Sequence, residues 1–184
     1  MGIGYIVFLI LVVVLGWTAL TYNRLVKLQV RMEESWHTIN VQLKQRWDLI
    51  PNLVETVKGY AAHERGVFER VTLARTQAIS ASSPQEQAVA EERLKGALKS
   101  LCAVVEDYPQ LKVNENFLEL QQTMEQVEDA VQRARVCYNA VVRDLNTSIR
   151  IFPRSIIVNL FGFKEREFYA LPGEEERGAP KVRL

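Results

Sequence analysis

Apolar residues recur along this chain at intervals of three and four, a spacing that predicts helices almost throughout. The first stretch differs. Ile3–Tyr22 is nearly continuously apolar, and no charged residue occurs before Arg24. About 20 such residues match the hydrocarbon thickness of a bilayer when helical, so residues 1–23 read as a transmembrane anchor. Trp17 and Tyr22 mark one interface and Tyr5 the other. A cleaved signal peptide fits less well, because no basic residue opens the run and no small-residue site closes it.

From Leu25 a helical stripe begins: Leu25, Leu28, Met32, Trp36, Ile39 and Leu43. It resumes as Leu53, Val57, Tyr60, Val67, Val71 and Ala74. Between them Pro51 interrupts the pattern, and a proline inside a helix removes an N–H donor and crowds the preceding turn. The stripe keeps its phase across Pro51 through Leu43, Trp47, Ile50, Leu53 and Val57, as a single kinked helix would. Length points the other way. An unbroken helix from Arg24 to Ile79 would extend over roughly 80 Å, too far for the next helix to cover. Folding back at Trp47–Pro51 buries the Leu25–Leu43 face, at about 25 cal/mol per Å² of apolar surface. Asp48 would then cap the returning helix. Asn52 would bond the backbone groups that the proline frees.

Ser83, Pro84 and Glu86 form a capping-box signature, with proline at the first helical position. Tyr108-Pro109 ends the helix that follows. Asn114 or Asn116 caps the next one, whose stripe runs Phe117, Leu120, Met124, Val127, Val131, Ala134, Tyr138, Val141 and Leu145. Ile151-Phe152-Pro153 stops it. Ser155–Phe161 reads as a short apolar helix closed by Gly162. The expected fold is therefore all-α: an N-terminal transmembrane helix followed by an up-and-down four-helix bundle over residues 24–152. Its helices lie at about 24–47, 49–79, 84–107 and 115–150. A short C-terminal apolar segment occupies 153–172, and 173–184 is a mobile tail.

Charge narrows the function. Lys and Arg total 23 against 22 for Asp and Glu, a net +1 across 184 residues, without the basic excess of a nucleic-acid protein. Arg24, Lys27 and Arg31 follow the anchor and nothing basic precedes it, which places the larger domain in the cytoplasm. Cys102 and Cys137 fall roughly 25 Å apart in the expected hairpin, too far for a disulfide, and read as buried free thiols. Glu34 and His37 have the Glu-x-x-His spacing of bundle metal sites, but no second copy accompanies them. No phosphate loop, zinc spacing or nucleophile elbow is present. No catalytic residue, cofactor or metal is expected. Ile156, Ile157, Val158, Leu160, Phe161, Phe163 and Phe168 make an apolar cluster among Arg150, Arg154, Lys164 and Arg166. It either lies in the lipid headgroup region or plugs the end of the bundle. Arg24, Lys27, Phe161 and Phe163 are the candidate membrane-interface residues.

Several motifs, in order from Tyr22 to about Tyr169, resemble the LemA family. They are Tyr22-Asn-Arg-Leu-Val26, the run from Arg46-Trp-Asp-Leu-Ile-Pro-Asn to Gly-Tyr60 with His63-Glu64, and Tyr108-Pro-Gln-Leu-Lys112. Asn114-Glu-Asn-Phe117, Tyr138-Asn139, Asn146, Phe152-Pro153 and Phe161-Gly-Phe163 continue the series. Trp47 departs from the pattern, since the family usually carries histidine or another polar residue there. The resemblance implies an N-terminally anchored helical-bundle protein of a bacterial inner membrane, single-pass, with no catalytic residues to carry over. Some relatives have a lipid-modified leader in place of the span, which would put their bundle outside the cytoplasm. The expected role is an adaptor or scaffold that contacts the bilayer and another membrane or envelope protein. The alternative is a self-assembling homo-oligomer that organises membrane or, further off, an accessory enzyme subunit. Asp48, Leu49, Ile50, Pro51, Asn52 and Leu53 are the candidate interaction residues, because a turn alone does not need that sequence.

Overall fold

A computed structural model describes residues 2–169. Six helices follow one another: α1 (Gly2–Lys58), α2 (Arg65–Ser80), α3 (Pro84–Glu106), α4 (Pro109–Lys112), α5 (Glu115–Arg150) and α6 (Arg154–Phe161). No strand occurs among the described residues. The protein is thus all-α, with a long apolar helix at its N-terminal side followed by further helices. Two compact units form, one from residues 2–37 and 137–167 and the other from 38–136 with 168–169. Helices α1 and α5 contribute to both.

The reversal expected at Trp47–Pro51 is not there. Helix α1 passes through Pro51 and ends at Lys58, so 24–47 and 49–79 are not separate helices. The chain turns over residues 59–64 instead, where Tyr60 and Ala61 donate to the Val57 carbonyl and Glu64 donates to that of Ala61. The stripe explains why. Ile50, Leu53 and Val57 are all buried, each worth about 1.5–3 kcal/mol. Together they outweigh the roughly 3 kcal/mol that an internal proline costs. Pro51 itself is exposed.

The carbonyl that Pro51 leaves without an intrahelical donor is that of Trp47. Arg75 on α2 fills the gap: its Nε donates to Trp47 O at 2.7 Å. Asn52, expected in that role, is exposed, and its own carbonyl accepts from Thr56 Oγ1 at 2.8 Å. A double-mutant cycle of Arg75→Leu and Pro51→Ala tests the assignment. Arg75→Leu alone strands the carbonyl and destabilises. With Pro51→Ala, residue 51 regains an N–H, and the penalty for Arg75→Leu is expected to shrink by about 1 kcal/mol. Additive denaturation midpoints would contradict it.

In the second unit, α2 packs on α3, and Val71, Ala78, Leu94, Leu101 and Leu111 are at or near complete burial. The α3 cap forms as the capping box implies, with Glu86 N donating to Ser83 Oγ at 3.1 Å. The Glu86 carboxylate reaches one residue further back and accepts from the Ser82 N–H and hydroxyl. Those bonds hold it below the usual carboxylate range. Asn114 caps α5, accepting from Phe117 N at 3.0 Å. In the first unit, Leu25, Leu145, Ile149, Ile157 and Val158 form a small core. Helix α6 ends on Gly162 in the left-handed conformation (φ 72°), which glycine adopts without a Cβ clash. Cys102 and Cys137 are free but exposed, not buried. Each lies off its helix's buried stripe, beside Leu101 and Tyr138 respectively.

Candidate functional site

The interaction stretch divides by face. Ile50 and Leu53 point into the core of the second unit and Leu49 is half-buried, while Asp48, Pro51 and Asn52 are exposed. Asp48 pairs with Lys44 one turn back. What the stretch offers outward is therefore a small polar patch.

Behind it lies a group of charges that the sequence did not announce. Arg46 is 5% exposed and Glu91 3% exposed. Arg46 Nη1 lies 2.8 Å from Glu91 Oε2 and 2.9 Å from Glu128 Oε2. Trp47 Nε1 donates to the other Glu91 oxygen at 2.8 Å. The residue that departs from the LemA-like pattern thus supplies an N–H to a buried carboxylate. Arg135, also buried, stacks its guanidinium 4.6 Å from the centroid of the Tyr169 ring. Its Nε and Nη2 have no hydrogen-bond partner among the described residues. A space of about 10 Å³ separates these side chains, at the lower limit for one water molecule. Arg46 and Glu91 face α1 and α3 inward because each lies on its helix's apolar stripe. Arg46 follows Leu43 by three and precedes Ile50 by four, and Glu91 precedes Leu94 by three. Those positions were the available signal. The two guanidinium and two carboxylate groups balance in charge, and the hydrogen bonds among them centre on Glu91. The arrangement builds a polar core in the second unit. Among the described residues, no group of three or more His, Cys, Asp or Glu has metal-site geometry.

The first unit carries the other candidate residues. Its apolar window has a mean hydropathy of 2.6, and none of it is buried. Beyond it, Tyr22 meets the rings of Phe161 and Phe163 at 4.8 and 5.7 Å between centroids. Helix α6 is thereby fixed at the end of the apolar run. It buries Ile157 and Val158 but leaves Ile156, Leu160 and Phe161 exposed. One face of the segment thus fills the small core and the other is exposed. Arg24 and Lys27 are exposed at the same level of α1. The segment after α6 straps onto α5. Asn146 Nδ2 donates to Arg166 O and its Oδ1 accepts from Arg166 N, both at 2.9 Å. Tyr138 donates to Glu167 O at 3.0 Å. Arg150 grips Glu165 through two bonds, one of 2.8 Å, holding that carboxyl below its usual range. The mobile tail expected from 173 lies outside the described residues.

The LemA family model matches residues 35–184. The chain is similar to Magnetosome protein MamQ 2 and Magnetosome protein MamQ 1 of Paramagnetospirillum magneticum. Each is 24% identical over 174 residues, covering 80% of this chain and 64% of the relative. Magnetosome protein MamQ of Magnetospirillum gryphiswaldense is 22% identical with the same coverage. The chain thus spans 64% of the length of these curated relatives.

Proposed function

Since this chain belongs to the LemA family, a membrane-associated helical protein, we propose that it is a non-enzymatic scaffold anchored in a bacterial inner membrane. In this reading α1 spans the bilayer and its remaining turns hold the helical units at the surface. One observation carries the reading: α6 is stapled to the end of the apolar run by Tyr22, Phe161 and Phe163, with a second apolar face left outward. A lipid interface accommodates such a face at no solvation cost. Arg24, Lys27 and Arg31 favour the cytoplasmic side by their position just after the span. The inward-directed charges of Arg46, Glu91 and Glu128 leave the outer surface for protein contact, and Asp48, Pro51 and Asn52 are the proposed contact residues.

Photo-crosslinking in living cells from positions 48 and 52 is the test. The expected product is a discrete heteromeric band that disappears when the probe moves to a buried position such as 53. Monomer alone at every position would overturn the scaffold. A ladder of self-crosslinked species would assign the protein to self-assembly.

A further inference from the structure

We propose that the cleft beside the end of the span binds the phosphate of an anionic phospholipid, drawn from the bilayer that α1 enters. The inference rests on the anchored reading above and adds a ligand to it. The cleft has a volume of about 490 Å³ and opens to the exterior of the first unit. Arg24, Lys27 and Arg31 line it from α1, Arg154 from the start of α6, and Asp144 and Ser148 from α5. Arg24, Lys27 and Arg31 stand three and four residues apart, which sets them on one helix face. Four cations therefore converge against a single carboxylate.

No ion pair among the described residues neutralises any of the four cations. Asp144 is nearest to Arg143, at 3.9 Å. Arg150 makes the contrast, because Glu165 occupies its guanidinium with two bonds. Gathered like charges repel, and an anion in the cleft removes that repulsion. Guanidinium groups match phosphate oxygens in a bidentate fork. Depth selects a lipid over a free anion. Arg24 lies two residues past Tyr22, where the uncharged run ends, and headgroup phosphates lie at that level. Leu28 and Ile151 add apolar wall to the same cleft, suited to a lipid's glycerol and upper chains.

The test uses the full chain in neutral detergent micelles, given equal amounts of phosphatidylglycerol and phosphatidylcholine, with retained lipid counted by native mass spectrometry. Both lipids carry a phosphodiester, but the choline cation adds a like charge to the four in the cleft, so phosphatidylglycerol should be retained about tenfold over phosphatidylcholine. Arg24→Gln with Arg154→Gln should abolish the preference. Asp144→Asn should strengthen it roughly threefold, since one opposing charge leaves, a gain that misfolding does not produce. An unchanged preference in the double variant would overturn the proposal, as would complete displacement by millimolar inorganic phosphate. Urea-washed membranes separate the two readings. Protein that stays with the membrane but shows no preference overturns the cleft alone, while protein released by the wash overturns the anchor as well.

Discussion

Glu91→Ala is expected to destabilise the second unit by about 3–5 kcal/mol, the usual cost of leaving a buried charge without its partner. Two groups lose their acceptor at once, the Arg46 guanidinium and the Trp47 indole N–H. Glu128 does not compensate, because its 2.9 Å contact reaches Arg46 alone and leaves the Trp47 N–H without its acceptor. The paired replacement Arg46→Met with Glu91→Met should cost far less than either single loss. Removing both members also removes their desolvation penalty, and hydrophobic substitutes of similar volume often match a buried pair. Guanidinium unfolding of the full chain in detergent, at constant m-value, reads the difference. If Glu91→Ala lay within 1 kcal/mol of the parent, Arg46 would have to be solvated and the cluster would carry no weight.

Tyr169 gives the second large effect, and it appears as a pH dependence. Its hydroxyl is pushed up to about 12, chiefly by burial and further by Glu91, against the opposing pull of Arg135 and Arg46. An unfolded tyrosine titrates near 10, so the folded protein holds this proton more tightly. The stability gained is whole below pH 10 and is lost as pH rises toward 12. Two pH units correspond to about 2.7 kcal/mol. Tyr169→Phe keeps the ring beneath Arg135 but has no proton to lose, so its unfolding free energy should fall less over that interval by roughly 2–3 kcal/mol. Tyr138, also raised by burial, is present in both proteins and cancels in the comparison. Parallel pH profiles for parent and variant would mean that Tyr169 is solvated.

How far the sequence disclosed this structure depended on distance along the chain. The Ser83–Glu86 cap, the Asn114 cap and the Gly162 stop each involve groups within three or four residues, and each was readable. The apolar span was readable from composition alone. The turn was misplaced because Pro51 is a strong local signal, whereas Lys58-Gly59-Tyr60 is a weak one. The bond that neutralises the proline's defect comes from Arg75, 28 residues away. The buried cluster joins positions 45 residues apart through Arg46 and Glu91, a pairing that no periodicity specifies. Even so, an arginine on an apolar stripe is visible in the sequence and marks one half of the pair. The cysteines were misjudged for a simpler reason: a helical stripe predicts which face is buried more reliably than how wide it is.

The strap after α6 has a bearing on how this chain tolerates change. Asn146 reads the main chain of residue 166, donating to its carbonyl and accepting from its N–H, and Tyr138 reads the carbonyl of Glu167. Side-chain identity at 166 and 167 is therefore close to free, with proline excluded at 166 because it has no N–H to give. Spacing is not free. Removing one residue between Gly162 and Arg166 would present Asn146 with the wrong peptide group, so along this stretch the chain counts residues more strictly than it chooses them.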